Sequence, residues 1–325
     1  MEQEPISIPT LERYCLFPIV YHDIWKLYKE QQEKYWIAEE IDFSEDRKSW
    51  LTLNKEEQNF ISVVLAFFSN SDGIVLENLS TRFMKEINIP EAQSFLSIQA
   101  AIESIHIETY NLCIDAVIQD TKEKIDLFKA IQTNPIVQPK MQWALKWMKD
   151  NSLAHVLVAF CCIEGLFFCS SFASIFWLRK RQKLRGICFS NEKVISDESI
   201  HVRFDALMYS KYIKNKLPTE EIYEIVKEAV AIEQKFARDA LPVKLIGINA
   251  EMMCQYICKV ADVVLDLLGV EPLYKVENPF DWMVGLGLLG KANFFEKRVA
   301  EYQKSRQEND IRQNIMTELG SELDF

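Results

Sequence analysis

Two short motifs carry the most chemistry in this chain. Glu103-Ser104-Ile105-His106 and Glu198-Ser199-Ile200-His201 each set a carboxylate and an imidazole three residues apart. On a helix, positions i and i+3 are neighbours on one face, so one metal ion can take an oxygen and a nitrogen from the same helix. A single such motif is a weak signal. Two of them use two of only four histidines, which chance explains poorly. His22 and His155 have no such partner and read as ordinary side chains.

Two more carboxylates stand where apolar residues are expected. Asp72 lies between Val64-Leu65-Ala66-Phe67-Phe68 and Gly73-Ile74-Val75-Leu76. Glu164 lies between Phe160-Cys161-Cys162-Ile163 and Gly165-Leu166-Phe167-Phe168. Taken singly, each would more readily be a surface residue on an amphipathic helix, because a lone buried carboxylate is strongly destabilising. Four inward carboxylates and two histidines around two cations solve that problem together. This is the pattern of ferritin-like di-iron and di-manganese bundles, with Glu-x-x-His on two helices and a carboxylate on two others. Mixed oxygen and imidazole ligation suits iron or manganese better than a thiolate-seeking metal.

The elements that must position these groups are helices. Gly and Pro are scarce, at 9 and 10 of 325 residues, and 49% of the chain is hydrophobic, enough for a large core. After an arm over residues 1–25, the pattern predicts helices over 55–87, 91–119, 122–131, from Pro139 to 149, 153–178, 189–214, 219–240 and 250–268. Capping signals support several of these: Asn54 with Glu56 and Glu57, Asp150-Asn151-Ser152, and Thr219-Glu220-Glu221. No β-alternation of useful length and no fixed repeat appears. The domain reading is an arm over 1–25, a helical domain over 26–303 and a flexible polar tail over 304–325.

Composition narrows the function. The net charge of -11 argues against nucleic acid, which needs concentrated Lys and Arg. The clearest basic run, Arg179-Lys180-Arg181, reads as a solvated helix end. Eight scattered cysteines without a Cys-x-x-Cys pair read as reduced thiols in the cytoplasm. Residues 153–178 are long and apolar enough for a membrane span. Glu164 near the middle favours a buried helix over a lipid-facing one.

At this point the sequence resembles the small, radical-generating subunit of class I ribonucleotide reductase, of the eukaryotic and viral type. The resemblance runs over nearly the whole chain. It is strongest at Phe67-Phe68-Ser69-Asn70-Ser71-Asp72-Gly73-Ile74-Val75, at both Glu-x-x-His segments and at Ile163-Glu164-Gly165-Leu166-Phe167-Phe168. It continues through residues 241–247, 276–281 and 293–298. It implies Asp72, Glu103 and His106 on one iron and Glu164, Glu198 and His201 on the other, with Glu103 and Glu198 bridging. Tyr110, four residues after His106, matches the radical tyrosine. Phe168, Phe172 and Val194 match its apolar pocket. Asp197 and Trp36 match the pair that links a ligand histidine to the long-range radical path, and Tyr302 matches the relay tyrosine. Leu319, Leu323 and Phe325 match the anchors of a tail that docks the large, catalytic subunit. The family also implies a homodimer. Manganese accepts the same ligands as iron. The other readings of the same residues are a different di-iron oxidase or desaturase on this fold and a metal-free partner subunit.

Overall fold

The computed structural model describes residues 4–9, 15–240 and 248–288. Among the described residues the chain is helical in class, with no β-strand. The main helices are α1 (His22–Glu33), α2 (Lys55–Asn78), α3 (Pro90–Val117), α4 (Gln138–Met148), α5 (Leu153–Cys162), α6 (Cys169–Lys180), α7 (Arg185–Leu207), α8 (Thr219–Ala240) and α9 (Ala250–Leu267). Three π-helical turns extend or join them: Leu79–Phe83 after α2, Ile163–Phe167 between α5 and α6, and Met208–Tyr212 after α7.

Local sequence explains several starts. Asn54 accepts from Glu57 N while Glu57 returns a bond to Asn54 N, a capping box that opens α2. Pro90 opens α3, where its missing N–H costs nothing. Ser152 caps α5 by accepting from His155 N.

The long apolar segment continues as α5, the π turn and α6. From Val156 to Leu178 every residue is buried inside the bundle. Lys55–Glu86 is also long and apolar enough to cross a membrane, and it too lies largely buried. Both are core helices here. α8 and α9 flank the bundle with one apolar face each, exemplified by Ile222, Ile225, Val226, Ala229 and Val230 on α8.

Three sequence expectations need correction. The arm, read as having little periodicity, runs into a helix before residue 26: α1 begins at His22, and its three buried positions Ile24, Leu27 and Gln31 are too few to mark a stripe. Further back, Glu4 accepts from Lys214 N and Asn215 N, and Ile6 is buried. The predicted helix over 189–214 begins earlier, at Arg185, and gives way to a π turn at Met208. Its start carries no local cap, because the cap is Asp46 from the short helix Asp46–Trp50, which accepts from Gly186 N and Ile187 N at 3.0 and 2.7 Å. The stretch 122–131 breaks at Lys129 into Thr121–Phe128 and Ala130–Thr133.

Candidate metal centre

The six ligand candidates converge from four places. Asp72 comes from α2, Glu103 and His106 from α3, Glu164 from the π turn, and Glu198 and His201 from α7. All are buried. Donor atoms of Asp72, Glu103 and His106 lie within 4.8 Å of one another, as do those of Glu103, Glu164, Glu198 and His201.

Glu103 and Glu198 each face both histidines. Glu103 Oε1 lies 3.0 Å from His201 Nδ1, and its Oε2 lies 3.4 Å from His106 Nδ1. Glu198 Oε1 lies 3.1 Å from His106 Nδ1, and its Oε2 lies 3.4 Å from His201 Nδ1. Two donors each about 2.1 Å from one ion and at right angles to each other sit about 3 Å apart. Both oxygens of Glu103 and Glu198, both Nδ1 atoms, Asp72 Oδ2 and Glu164 Oε2 lack a hydrogen-bond partner. Buried polar atoms are ordinarily satisfied, so this cluster of orphans, all aimed at one another, fits a pair of cations.

The electrostatics of the metal-free chain agree. Burial pushes Asp72 well above the usual carboxylate range, and Glu103 beside it adds to the effect. Burial does the same to Glu164, reinforced by Asp205. Burial also acts on Glu103, but His106 and His201 overcome it and bring the carboxyl down to about 2. His201 is raised to about 10 against its own burial, by Glu103 and Glu198. Protons on Asp72, Glu164 and His201 thus balance part of the buried negative charge.

Around the ligands lies a set of oriented side chains. Ser71 Oγ donates to Asp72 at 3.0 Å, and Gln99 Nε2 donates to Glu164 at 3.0 Å. Asp197 is a hub. Its Oδ2 accepts from Trp36 Nε1 at 2.8 Å and lies 3.2 Å from His106 Nε2. With a proton on Nε2, the Nδ1 lone pair of His106 points at the ligand cluster. The other oxygen, Oδ1, accepts from Gln31 Nε2 at 2.8 Å.

Tyr110 is fully buried, and burial, with Asp72 next, holds its phenol well above its usual value. The hydroxyl donates to Asn191 Oδ1 at 2.9 Å. The Asn191 amide is itself fixed, because its Nδ2 donates to Ile187 O at 2.8 Å. Phe68 stacks on Tyr110 with centroids 4.5 Å apart and planes at 1°. Phe168 and Phe172 pack on Phe68 at 5.6 and 5.0 Å. Val194 is buried one turn beyond Asn191 on α7.

Sequence reasoning assigned no role to Ser71, Gln99, Phe68, Gln31, Asn191 or Asp205. Phe68 sits four residues before Asp72 on the same helix face, a signal that was available. Gln31 and Asn191 are linked to their partners only through the fold. Asp205, four residues after His201, is fully buried within hydrogen-bond reach of Glu164, and burial raises it to about 8. Tyr302, Leu319, Leu323, Phe325 and the matching stretches 241–247 and 293–298 lie outside the described residues. A cavity of about 30 Å³, large enough for a water molecule, adjoins Glu164 and Glu198 and is lined by Cys169, Phe172 and Ile195 among others.

A four-part helical bundle with two Glu-x-x-His motifs and two further inward carboxylates defines a ferritin-like protein whose core could hold a pair of metal ions. The profile described as "Ribonucleotide reductase, small chain" matches residues 13–279. One of the ribonucleoside-diphosphate reductase small chains of Arabidopsis thaliana is 51% identical over 307 residues, covering 94% of this chain and 92% of that protein. The small chain of Nicotiana tabacum is 49% identical over 316 residues, covering 97% and 96%. The solved structure of the Rnr4 homodimer of Saccharomyces cerevisiae superposes with a TM-score of 0.80 at 32% identity, covering 92% of this chain and 93% of that one. The chain belongs to the ribonucleotide reductase small-chain family and is by that membership the small subunit of a ribonucleoside-diphosphate reductase.

Proposed function

We propose that this subunit holds two iron ions in its core and uses dioxygen to form a radical on Tyr110, which the large subunit draws on to reduce ribonucleotides. The observation that carries this is the mutual facing of Glu103, Glu198, His106 and His201 at 3.0–3.4 Å, with a buried phenol one helical turn from His106. Asp72, Glu103 and His106 would hold one ion, and Glu164, Glu198 and His201 the other. Glu103 and Glu198 would serve both, since each turns one oxygen to each histidine. When bound, two ferrous ions supply two of the four electrons that dioxygen takes to reach the level of water, leaving one from Tyr110 and one from outside the site.

The chain's own residues do the rest. Asn191 orients the Tyr110 hydroxyl; its amide oxygen is too weak a base to keep the phenol proton, which would end in the water formed from dioxygen. Phe68, Phe168, Phe172 and Val194 keep water and reductants from the ring. Trp36, bonded through Asp197 to His106, offers the way in for the outside electron and the start of the path toward the large subunit, with Tyr302 as a later relay. Leu319, Leu323 and Phe325 are proposed to dock that subunit, and two copies of this chain to pair. All eight cysteines are free, which supports a reducing, cytoplasmic setting. Manganese accepts the same donors, so metal analysis of protein from its own cells decides between them.

Anaerobic titration with ferrous iron tests the site. Two ions per chain are expected, and Glu103→Ala or Glu198→Ala should remove tight uptake of both. Uptake near zero in the parent chain would overturn the proposal. Ribonucleotide reduction should appear only on mixing with the large subunit.

A further inference from the structure

We infer that the buried pair Lys140–Glu233 is a positioning device for the metal site, a clamp on the π-helical turn that aims Glu164 inward. The inference rests on the di-metal reading for its consequence, but its geometry stands apart from it. The turn Ile163–Phe167 interrupts an otherwise continuous helix from Leu153 to Lys180. One residue inserted into a helix turns everything after it by about 100°. The turn thereby fixes how Glu164 stands to Phe168 and Phe172, which follow it.

Lys140 from α4 and Glu233 from α8 meet across this interruption. Lys140 Nζ donates to the carbonyl of Phe167, the last residue of the turn, at 2.6 Å. The same Nζ lies 2.6 Å from Glu233 Oε2. Glu233 Oε1 in turn accepts from Ser170 N at 3.3 Å and from Ser170 Oγ. Ser170 N lies in the first turn of α6, where backbone donors need a partner from outside the helix. The pair therefore grips the backbone on both sides of Phe168. Lys140 also sits over the rings of Phe67 and Phe236, at 3.8 and 3.5 Å, and Phe67 packs on Phe168.

Both charged residues are completely buried, and neither touches a ligand candidate. Burial lowers Lys140 and raises Glu233, and their mutual attraction opposes both shifts. A buried ion pair is a poor source of net stability, because desolvation offsets its attraction. What this one supplies is direction, on the stretch of backbone that sets Glu164. Asp72, Glu103 and His106 stand on α2 and α3, which the clamped backbone does not include. Loss of the clamp should loosen the Glu164 side and spare the other.

The test uses the full chain with Lys140→Met and Glu233→Leu combined, which leaves no unpaired buried charge. Glu233→Gln alone serves as the milder variant. In the metal-free protein, amide hydrogen exchange across 160–172 should quicken about tenfold in the double variant, while α3 and α7 hold their parent rates. Unchanged exchange, or a uniform rise over the whole core, would overturn the clamp. With ferrous iron, the double variant should keep one ion near parent affinity and bind the other about tenfold more weakly. Equal weakening of both ions, or of neither, contradicts a positioning role. A parent chain that takes up no iron fails the di-metal reading, and the exchange result alone then upholds or overturns the clamp.

Discussion

At the scale of single residues, the ligand candidates were legible because their chemistry conflicts with their surroundings. A carboxylate inside Phe160-Cys161-Cys162-Ile163 or beside Phe67-Phe68 has to be explained, and metal is the explanation that treats all four together. Asp205 escaped for the opposite reason. It follows Arg203 in a stretch of mixed polarity, so nothing in the sequence marks it as buried. Asn191 and Gln31 escaped because their partners, Tyr110 and Asp197, lie 81 and 166 residues away. The Asn191 contact is open to a double-mutant cycle in the metal-free chain. Asn191→Leu strands a buried phenol and should cost about 1–3 kcal/mol by denaturant unfolding. Combined with Tyr110→Phe, the two changes should be coupled by about 1 kcal/mol. Strict additivity would mean that the hydrogen bond does not form. A second expectation concerns Phe68. Phe68→Ala opens a cavity against Tyr110 and should lower stability by about 3–5 kcal/mol. It should also shorten the lifetime of any Tyr110 radical, measured as decay of its signal.

At the scale of elements, what decides legibility is where the stop and start signals reside. Asn54, Asp120 and Ser152 cap their own helices from adjacent sequence, and those starts read correctly to within a few residues. α7 is capped by Asp46, some 140 residues away, and its start was misplaced. Gly186 is required at this joint: a Cβ there would stand 2.5 Å from the Asp42 carbonyl and 2.7 Å from the Asp46 carboxylate. Gly186→Ala should therefore destabilise the chain by about 1–3 kcal/mol, as overpacking does. Asp46→Ala should cost about 1–2 kcal/mol through loss of the cap. Denaturant midpoints check both, and a neutral Gly186→Ala would contradict the close approach of Asp42 and Asp46 at this joint. The π turns had no signature in the sequence at all. Apart from Gly165, their residues are ones that α-helices commonly carry, so little in the local sequence marks the extra residue.

At the scale of the whole molecule, the helical class followed from scarce Gly and Pro and from long apolar faces. The apolar span 153–178 is a core helix because the other helices enclose it, with Glu164 turned toward Gln99 and the ligand cluster. Truncation tests the docking role of the tail. Removing residues 319–325 should leave iron uptake unchanged and abolish binding to the large subunit in a pull-down or calorimetric titration. Retained binding would relocate the docking site to the bundle. The central claim is that the bundle makes a radical on Tyr110. Electron paramagnetic resonance at low temperature, on protein loaded with ferrous iron and then aerated, tests it most directly. A tyrosyl signal is expected in the parent chain, and none in Tyr110→Phe that still binds two ions. A parent chain with no signal, or a signal that survives Tyr110→Phe, would contradict the claim.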